Sequence, residues 1–201
     1  MYNLEKIITP GMGANCYLFW CEETMKGIVI DPGDGAKMIL NKIRSLKLEI
    51  IMIVLTHGHS DHLGALKEIR EFLQVPVAMH QADIEIIDEP MLQKELIDNP
   101  PEIFLTEDQE LAIGNVVLKV IHTPGHTPGG ICLYTDNILF SGDTLFQNAV
   151  GRTDFPGGNF KQILSSIRGK IFVLPDETRV YPGHEESTSI GWEKENNPFF
   201  N

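Results

Sequence analysis

The segment Thr56-His57-Gly58-His59-Ser60-Asp61-His62 constrains this chain more than any other feature. It follows the apolar run 50–55 and places three of the seven histidines and an aspartate within six residues. In extended backbone, residues two apart share a side, so His57 and His59 face one centre. Asp61 and His62, at the start of a predicted helix, turn toward a second centre. The plain alternative is an N-cap at Ser60 or Asp61 with solvated histidines nearby. Three imidazoles so close together, with further His and Asp turns downstream, instead read as ligands for zinc, iron or manganese.

The downstream turns repeat one pattern. Apolar runs 28–30, 50–55, 116–121, 138–140 and 180–181 each lead through a Gly- or Pro-containing turn to Asp31, to His57 and His59, to His122 and His126, to Asp143 and to His184. Side chains just beyond strand ends can converge on one edge of a sheet. Within His122-Thr123-Pro124-Gly125-His126, the loop residue His126 is the expected ligand, and His122 reads as a packed neighbour. His80 reads as solvated or packed. His57, His59, Asp61, His62, His126 and His184 then supply terminal donors, and the two oxygens of Asp143 can bridge. Such a set suits two divalent ions, with zinc the first choice and iron or manganese compatible. A pair of ions about 3.5–4 Å apart can lower the pKa of a shared water toward about 7.

Strands are predicted at 5–9, 16–21, 27–30, 49–55, 77–79, 116–121, 131–134, 138–140 and 179–181, with Tyr17 in the core. Helices are predicted at 36–46, 62–73, 81–88, 159–168 and 187–196. The stretch 89–107, with Pro90, Pro100 and Pro101, reads as an irregular insertion. Glu193, Asn196 and Asn197 read as the exposed side of a terminal helix, and Phe199 and Phe200 as anchors onto the body. No linker interrupts the pattern, so one domain over 1–201 is expected. The formal charge of −12 argues against nucleic acid and anionic lipid as partners. No apolar run is long enough for a transmembrane helix, and the amino terminus lacks the pattern of a signal peptide. Cys16, Cys21 and Cys132 are odd in number and lack a CxxC spacing, which suits a reducing compartment. A cytoplasmic protein is the expectation; the oligomeric state is not written in these features.

The HxHxDH signature at 57–62, followed in order by TPGHT, SGDT and PGH, resembles the metallo-β-lactamase superfamily over nearly the whole chain. The resemblance implies an α/β fold, an αββα sandwich of two mixed sheets packed face to face with helices outside. It assigns His57, His59 and His126 to one metal and Asp61, His62 and His184 to the other. Asp143 would bridge both, and Asp31 would orient a ligand histidine. Gly142-Asp143-Thr144-Leu145-Phe146 is similar to glyoxalase II, the hydroxyacylglutathione hydrolases, and GRTDFP at 151–156 resembles its compact bacterial type. The implied reaction is hydrolysis of S-lactoylglutathione or a related hydroxyacyl thioester by a metal-bridging hydroxide, with Asp61 and Asp143 catalytic. Arg152 matches the position that pairs with a substrate carboxylate, whereas Asp154 stands where the full-length family has Tyr. GRTDF also resembles persulfide dioxygenases, which would use one iron on His57, His126 and Asp143. A non-catalytic metal-binding module is the third reading. β-Lactamases are a poorer match, because they generally lack the bridging Asp.

Overall fold

The computed structural model describes residues 1–200. Its first sheet runs β1 (Tyr2–Ile8), β2 (Asn15–Cys21), β3 (Lys26–Ile30), β4 (Glu49–Val54), β5 (Val77–Met79) and β6 (Ile103–Phe104), in that spatial order. The pairs β1–β2 and β2–β3 are antiparallel. From β3 onward the pairs are parallel, with helices α1 (Ala36–Leu46), α2 (Leu66–Leu73) and α3 (Pro90–Asp98) in the crossovers. The second sheet contains β7 (Glu110–Ile113), β8 (Val116–His122), β9 (Ile131–Thr135), β10 (Ile138–Gly142), β13 (Arg179–Pro182) and β14 (Thr188–Ser189), ordered β14-β13-β10-β9-β8-β7. A hairpin of β11 (Leu145–Phe146) and β12 (Ala149–Val150) lies apart, followed by α4 (Phe160–Ser166) and, at the end, α5 (Ile190–Asn196).

Strand alternation explains the layers. In β2, Cys16, Leu18 and Trp20 join α1, α2 and α3 in one apolar cluster, while Tyr17, Phe19 and Cys21 point the other way. Those inward residues meet Leu118, Val120, Leu133 and Phe140 of the second sheet. Phe19 and Phe140 meet edge to face, with centroids 5.6 Å apart. Each such fully buried side chain contributes roughly 1.5–3 kcal/mol. On the far face of the second sheet, Ile121, Cys132, Leu139 and Val180 pack on Ile163 of α4 and Ile190 of α5. The result is the expected helix–sheet–sheet–helix stack, with mixed pairing in both sheets. Among the described residues no helix is long and apolar enough to cross a membrane.

Several sequence expectations need correction. The stretch 89–107 is not irregular: it holds α3 and β6. Pro90 starts the helix, where its missing N–H costs nothing, and the Glu89 carboxylate accepts from Leu92 N at 2.7 Å. Pro100 and Pro101 merely follow the helix end. The helix expected at 62–73 begins only at Leu66, because Ser60–His62 form a 3-10 turn that swings Asp61 and His62 toward the site. Segment 81–88 is likewise a 3-10 turn, Gln81–Ile86. The helix expected at 187–196 gives up its start to β14. Glu193 and Asn197 are buried rather than exposed: Glu193 accepts from Thr188 Oγ1 at 2.5 Å, Asn148 N at 2.9 Å and Asn197 Nδ2 at 2.8 Å. They tie the last helix to the β11–β12 hairpin. Phe200 packs on Phe172, and Phe199 on Phe160.

Candidate metal centre

The ends of β3, β4, β10 and β13 open at one edge of the sandwich, and their loops deliver Asp31, His57, Asp143 and His184 there. Backbone room is part of the construction. Gly142 has φ +48°, and a Cβ there would strike the Thr56 side chain. A Cβ at Gly183 would run into the Asp143 carboxylate and come 2.8 Å from His62 Cε1. A larger side chain would displace Thr56 at the first position and the donors Asp143 and His62 at the second.

Two groups of donors meet. The ligand atoms of His57, His59 and His126 lie within 4.8 Å of one another, and so do those of Asp61, His62 and His184. In the first group His59 Nδ1 stands 2.8 Å from His126 Nε2. In the second, His184 Nε2 lies 3.0 Å from Asp61 Oδ2 and 3.3 Å from His62 Nε2. Asp143 sits between them. Its Oδ2 is 3.5 Å from His126 Nε2, 4.0 Å from His57 Nε2 and 3.8 Å from His184 Nε2, and its Oδ1 is 3.5 Å from His62 Nε2. All seven residues expected as ligands therefore come together, with Asp143 facing both groups. His122 and His80 lie outside, stacked on each other at 4.2 Å. His122 Nε2 donates to Pro128 O at 2.9 Å.

The hydrogen-bond network assigns the ring protons. Asp31 Oδ1 accepts from Thr56 N at 2.7 Å, and Oδ2 accepts from Thr56 Oγ1 at 2.6 Å and faces His62 Nδ1 at 3.1 Å. Because the Thr56 hydroxyl gives its one hydrogen to Asp31, it accepts from His57 Nδ1 at 3.0 Å. That leaves His57 Nε2 as a bare lone pair. His126 Nδ1 donates to Arg152 O at 2.7 Å, so its Nε2 is an acceptor and takes the His59 Nδ1 proton at 2.8 Å. Asp31 thus holds His62 directly and His57 through Thr56, as the resemblance implied for one histidine.

Metal fit can be tested on these atoms. His57 Nε2 and Asp143 Oδ1 are buried with no hydrogen-bond partner. Buried polar atoms are normally satisfied, so two unpartnered acceptors at one locus fit the binding of a cation. Nitrogen ligands about 2.0–2.1 Å from a tetrahedral metal stand roughly 3.3–3.4 Å apart, which is the spacing seen between His62 and His184.

The two groups differ in charge. Burial, reinforced by the neighbouring His62 and His126 rings, holds His57 well below the usual imidazole value. Burial and His126 bring His59 down to about 4. Burial also disfavours a charge on His62, but the carboxylates of Asp143 and Asp31 outweigh it and hold the ring up at about 9. The hydrogen bond to Asp61 raises His184. Burial works against the Asp61 carboxylate, yet His184 and His62 overcome it and pull it to about 2.

A cavity of about 610 Å³ opens onto both groups. Met12, Phe146 and Phe155 form apolar walls, and Asp88, Arg152 and Glu185 line its polar part. Arg152 was the expected substrate anchor. Its guanidinium lies 4.0 Å above the Phe155 ring and donates to both oxygens of Asp154, at 2.8 and 2.7 Å. Sequence reasoning missed Asp83, a fully buried acid among these loops, and Asp88, whose Oδ1 accepts from Ser60 N at 2.9 Å. An acid after the β5 run is the only signal, and it is too common to single them out.

The family model for the metallo-beta-lactamase superfamily matches residues 9–184. The chain is 34% identical to the hydroxyacylglutathione hydrolase GloC of Haemophilus influenzae, over 99% of this chain and 98% of that one. A crystal structure of the B3 metallo-beta-lactamase BLEG-1 superposes with a TM-score of 0.89 and 33% identity, covering 99% of this chain and all of the other. TTHA1623 in a di-iron-bound form gives a TM-score of 0.84 at 34% identity, covering 97% and 99%. The chain belongs to the metallo-beta-lactamase superfamily.

Proposed function

We propose, with superfamily membership as the premise, that this chain is a two-metal hydrolase that cleaves S-lactoylglutathione or a related hydroxyacyl thioester. The observation that carries this reading is the placement of the Asp143 carboxylate between two complete donor groups, with its Oδ1 and His57 Nε2 left unpartnered. The similarity to GloC supports the choice of a thioester. His57, His59 and His126 would hold one divalent ion, Asp61, His62 and His184 the other, and Asp143 both. Such a pair, when bound, polarises a carbonyl and brings a water toward ionisation near neutral pH. Zinc is our first choice; the di-iron form of TTHA1623 makes iron a serious competitor.

The chain's own groups do the rest. Asp31 fixes His62 through Nδ1, and the Arg152 carbonyl fixes His126 through Nδ1, so the opposite nitrogens stay aimed at the centre. Before a metal binds, Asp61, held ionised, accepts from His184 Nε2, and both atoms would then turn to the second ion. Met12, Phe146 and Phe155 would exclude water from the apolar part of the substrate, and Arg152 would take a substrate carboxylate at the rim. A thiolate leaves readily, so no strong general acid is required. A mononuclear iron site on His57, His126 and Asp143 is the second reading; because the ligands of a second metal can persist beside one iron, the metal count and the reaction separate the two. Three unpaired cysteines, all buried, suit the cytoplasm.

The test loads the metal-stripped protein with zinc, or with iron, and compares three substrates. Thiol release from S-lactoylglutathione at two metals per chain is expected, with loss on chelation. Oxygen uptake with glutathione persulfide at one iron per chain would replace this reading. Turnover of a β-lactam without thioester cleavage, the outcome suggested by the likeness to BLEG-1, would also replace it.

A further inference from the structure

The acid that the chemistry above leaves unused is Asp83, which is 0% exposed and sits in the 3-10 turn after β5. Its Oδ2 accepts from Gly58 N at 3.0 Å and from Thr127 Oγ1 at 2.7 Å, and its Oδ1 accepts from Gly129 N at 2.5 Å. Gly58 lies between His57 and His59; Thr127 follows His126. One carboxylate therefore joins the two loops that bring three imidazoles to the first metal. The fit is close on both sides. A Cβ at Gly58 would approach Asp83 O to 2.8 Å, and one at Gly129 would approach Asp83 Oδ1 to 2.7 Å.

We propose that Asp83 is a positioning residue that sets the spacing between the His57–His59 loop and the His126 loop, and with it the metal affinity of the first donor group. This rests on the reading that the group holds a metal. The residue type follows from hydrogen-bond chemistry. All three partners donate, and an ionised carboxylate only accepts. Burial still raises the Asp83 carboxyl above its ordinary value, and the three donors offset part of that. An asparagine has nearly the same shape but must turn its NH₂ onto at least one N–H or hydroxyl donor, which pushes one loop away.

The test places Asp83→Asn in two backgrounds, His184→Ala to cripple the second group and His59→Ala to cripple the first. Zinc affinity is read by competition with a chromophoric chelator. In the His184→Ala background, Asp83→Asn is expected to weaken zinc binding about 10–100-fold, the usual effect of losing a partner that orients ligands. In the His59→Ala background the affinity stays unchanged. Equal loss in both backgrounds marks a merely structural acid and overturns the proposal, and so does no loss in either. If neither parent binds zinc, the metal reading falls and takes this one with it; zinc held equally well by the Asp83→Asn protein overturns this one alone. Should Asp83→Asn fail to fold, Thr127→Val removes one donor at constant shape. A smaller loss confined to the His184→Ala background is then expected, and unchanged affinity overturns the proposal.

Discussion

The two donor groups lie side by side yet are built from different chemistry. In the first, the second nitrogen of His57 rests on the Thr56 hydroxyl and that of His126 on the Arg152 carbonyl, both uncharged partners. Burial keeps His57 and His59 neutral. In the second, His62 touches Asp31 and His184 touches Asp61, so each ring faces a carboxylate. The first group is neutral, with His57 Nε2 a free lone pair and one proton shared between His59 Nδ1 and His126 Nε2. The second stores a proton between acid and imidazole, and a cation must displace it. Two metals in one site therefore need not bind alike, even with similar ligands.

Asp143 faces both donor groups, so its loss should have the largest effect. Asp143→Ala is expected to lower thioester turnover by roughly 10²–10³-fold or more. Metal content should fall at both groups, and elemental analysis of the purified variant would read this. If one group alone empties, the symmetric placement of Asp143 has been misjudged and the contrast between the groups grows sharper.

A pH series on metal-stripped protein tests the contrast itself. His62 stands at about 9 against an ordinary 6.5, so its contribution to stability is complete below about pH 6.5 and is lost as pH rises through 9. Asp61 stands at about 2 against 3.8, so its contribution is present above 3.8 and is lost as pH falls through 2. His57 and His59 are lowered, and must charge only in acid. Denaturant unfolding should thus show stability falling between pH 6.5 and 9, and His62→Gln should flatten that fall. Zinc uptake should release protons near pH 7 from the second group, and calorimetry in buffers of different ionisation enthalpy counts them. A rise of stability over that range would break the comparison.

How legible each group was in the sequence follows from chain geometry. His57, His59, Asp61 and His62 lie in one short segment, where spacing alone shows a cluster. His126, Asp143 and His184 were reachable because each follows an apolar run through a Gly-containing turn, a pattern that survives without knowledge of the pairing. The layers were legible for a similar reason: β2 alternates toward two cores, and both halves of its alternation are apolar. The helix α3 was hidden because three prolines in 89–107 suggest an irregular insertion, while Pro90 at a helix start is harmless. Asp83 was hidden because its partners are backbone N–H groups and one hydroxyl from distant loops. Glu193 was hidden because its burial depends on Thr188, Asn148 and Asn197 closing around it, and a charged residue on a short amphipathic stretch gives no sign of that.

The smallest expected effect concerns the rim rather than the donors. Arg152 is joined to the first group by its backbone carbonyl, which holds His126, while its side chain is turned to Asp154. Both side chains of that pair are more than half exposed, at 57% and 67%. An exposed pair of this kind is worth about 0–1 kcal/mol, so a substrate carboxylate can compete for the guanidinium. Asp154→Asn removes the competitor without touching the Arg152 carbonyl. KM for S-lactoylglutathione is then expected to fall by no more than about fivefold, with kcat unchanged. A thioester whose thiol carries no carboxylate should show no change in KM. If both substrates improve equally, Arg152 does not read a carboxylate, and its part in the site reduces to the carbonyl that aims His126.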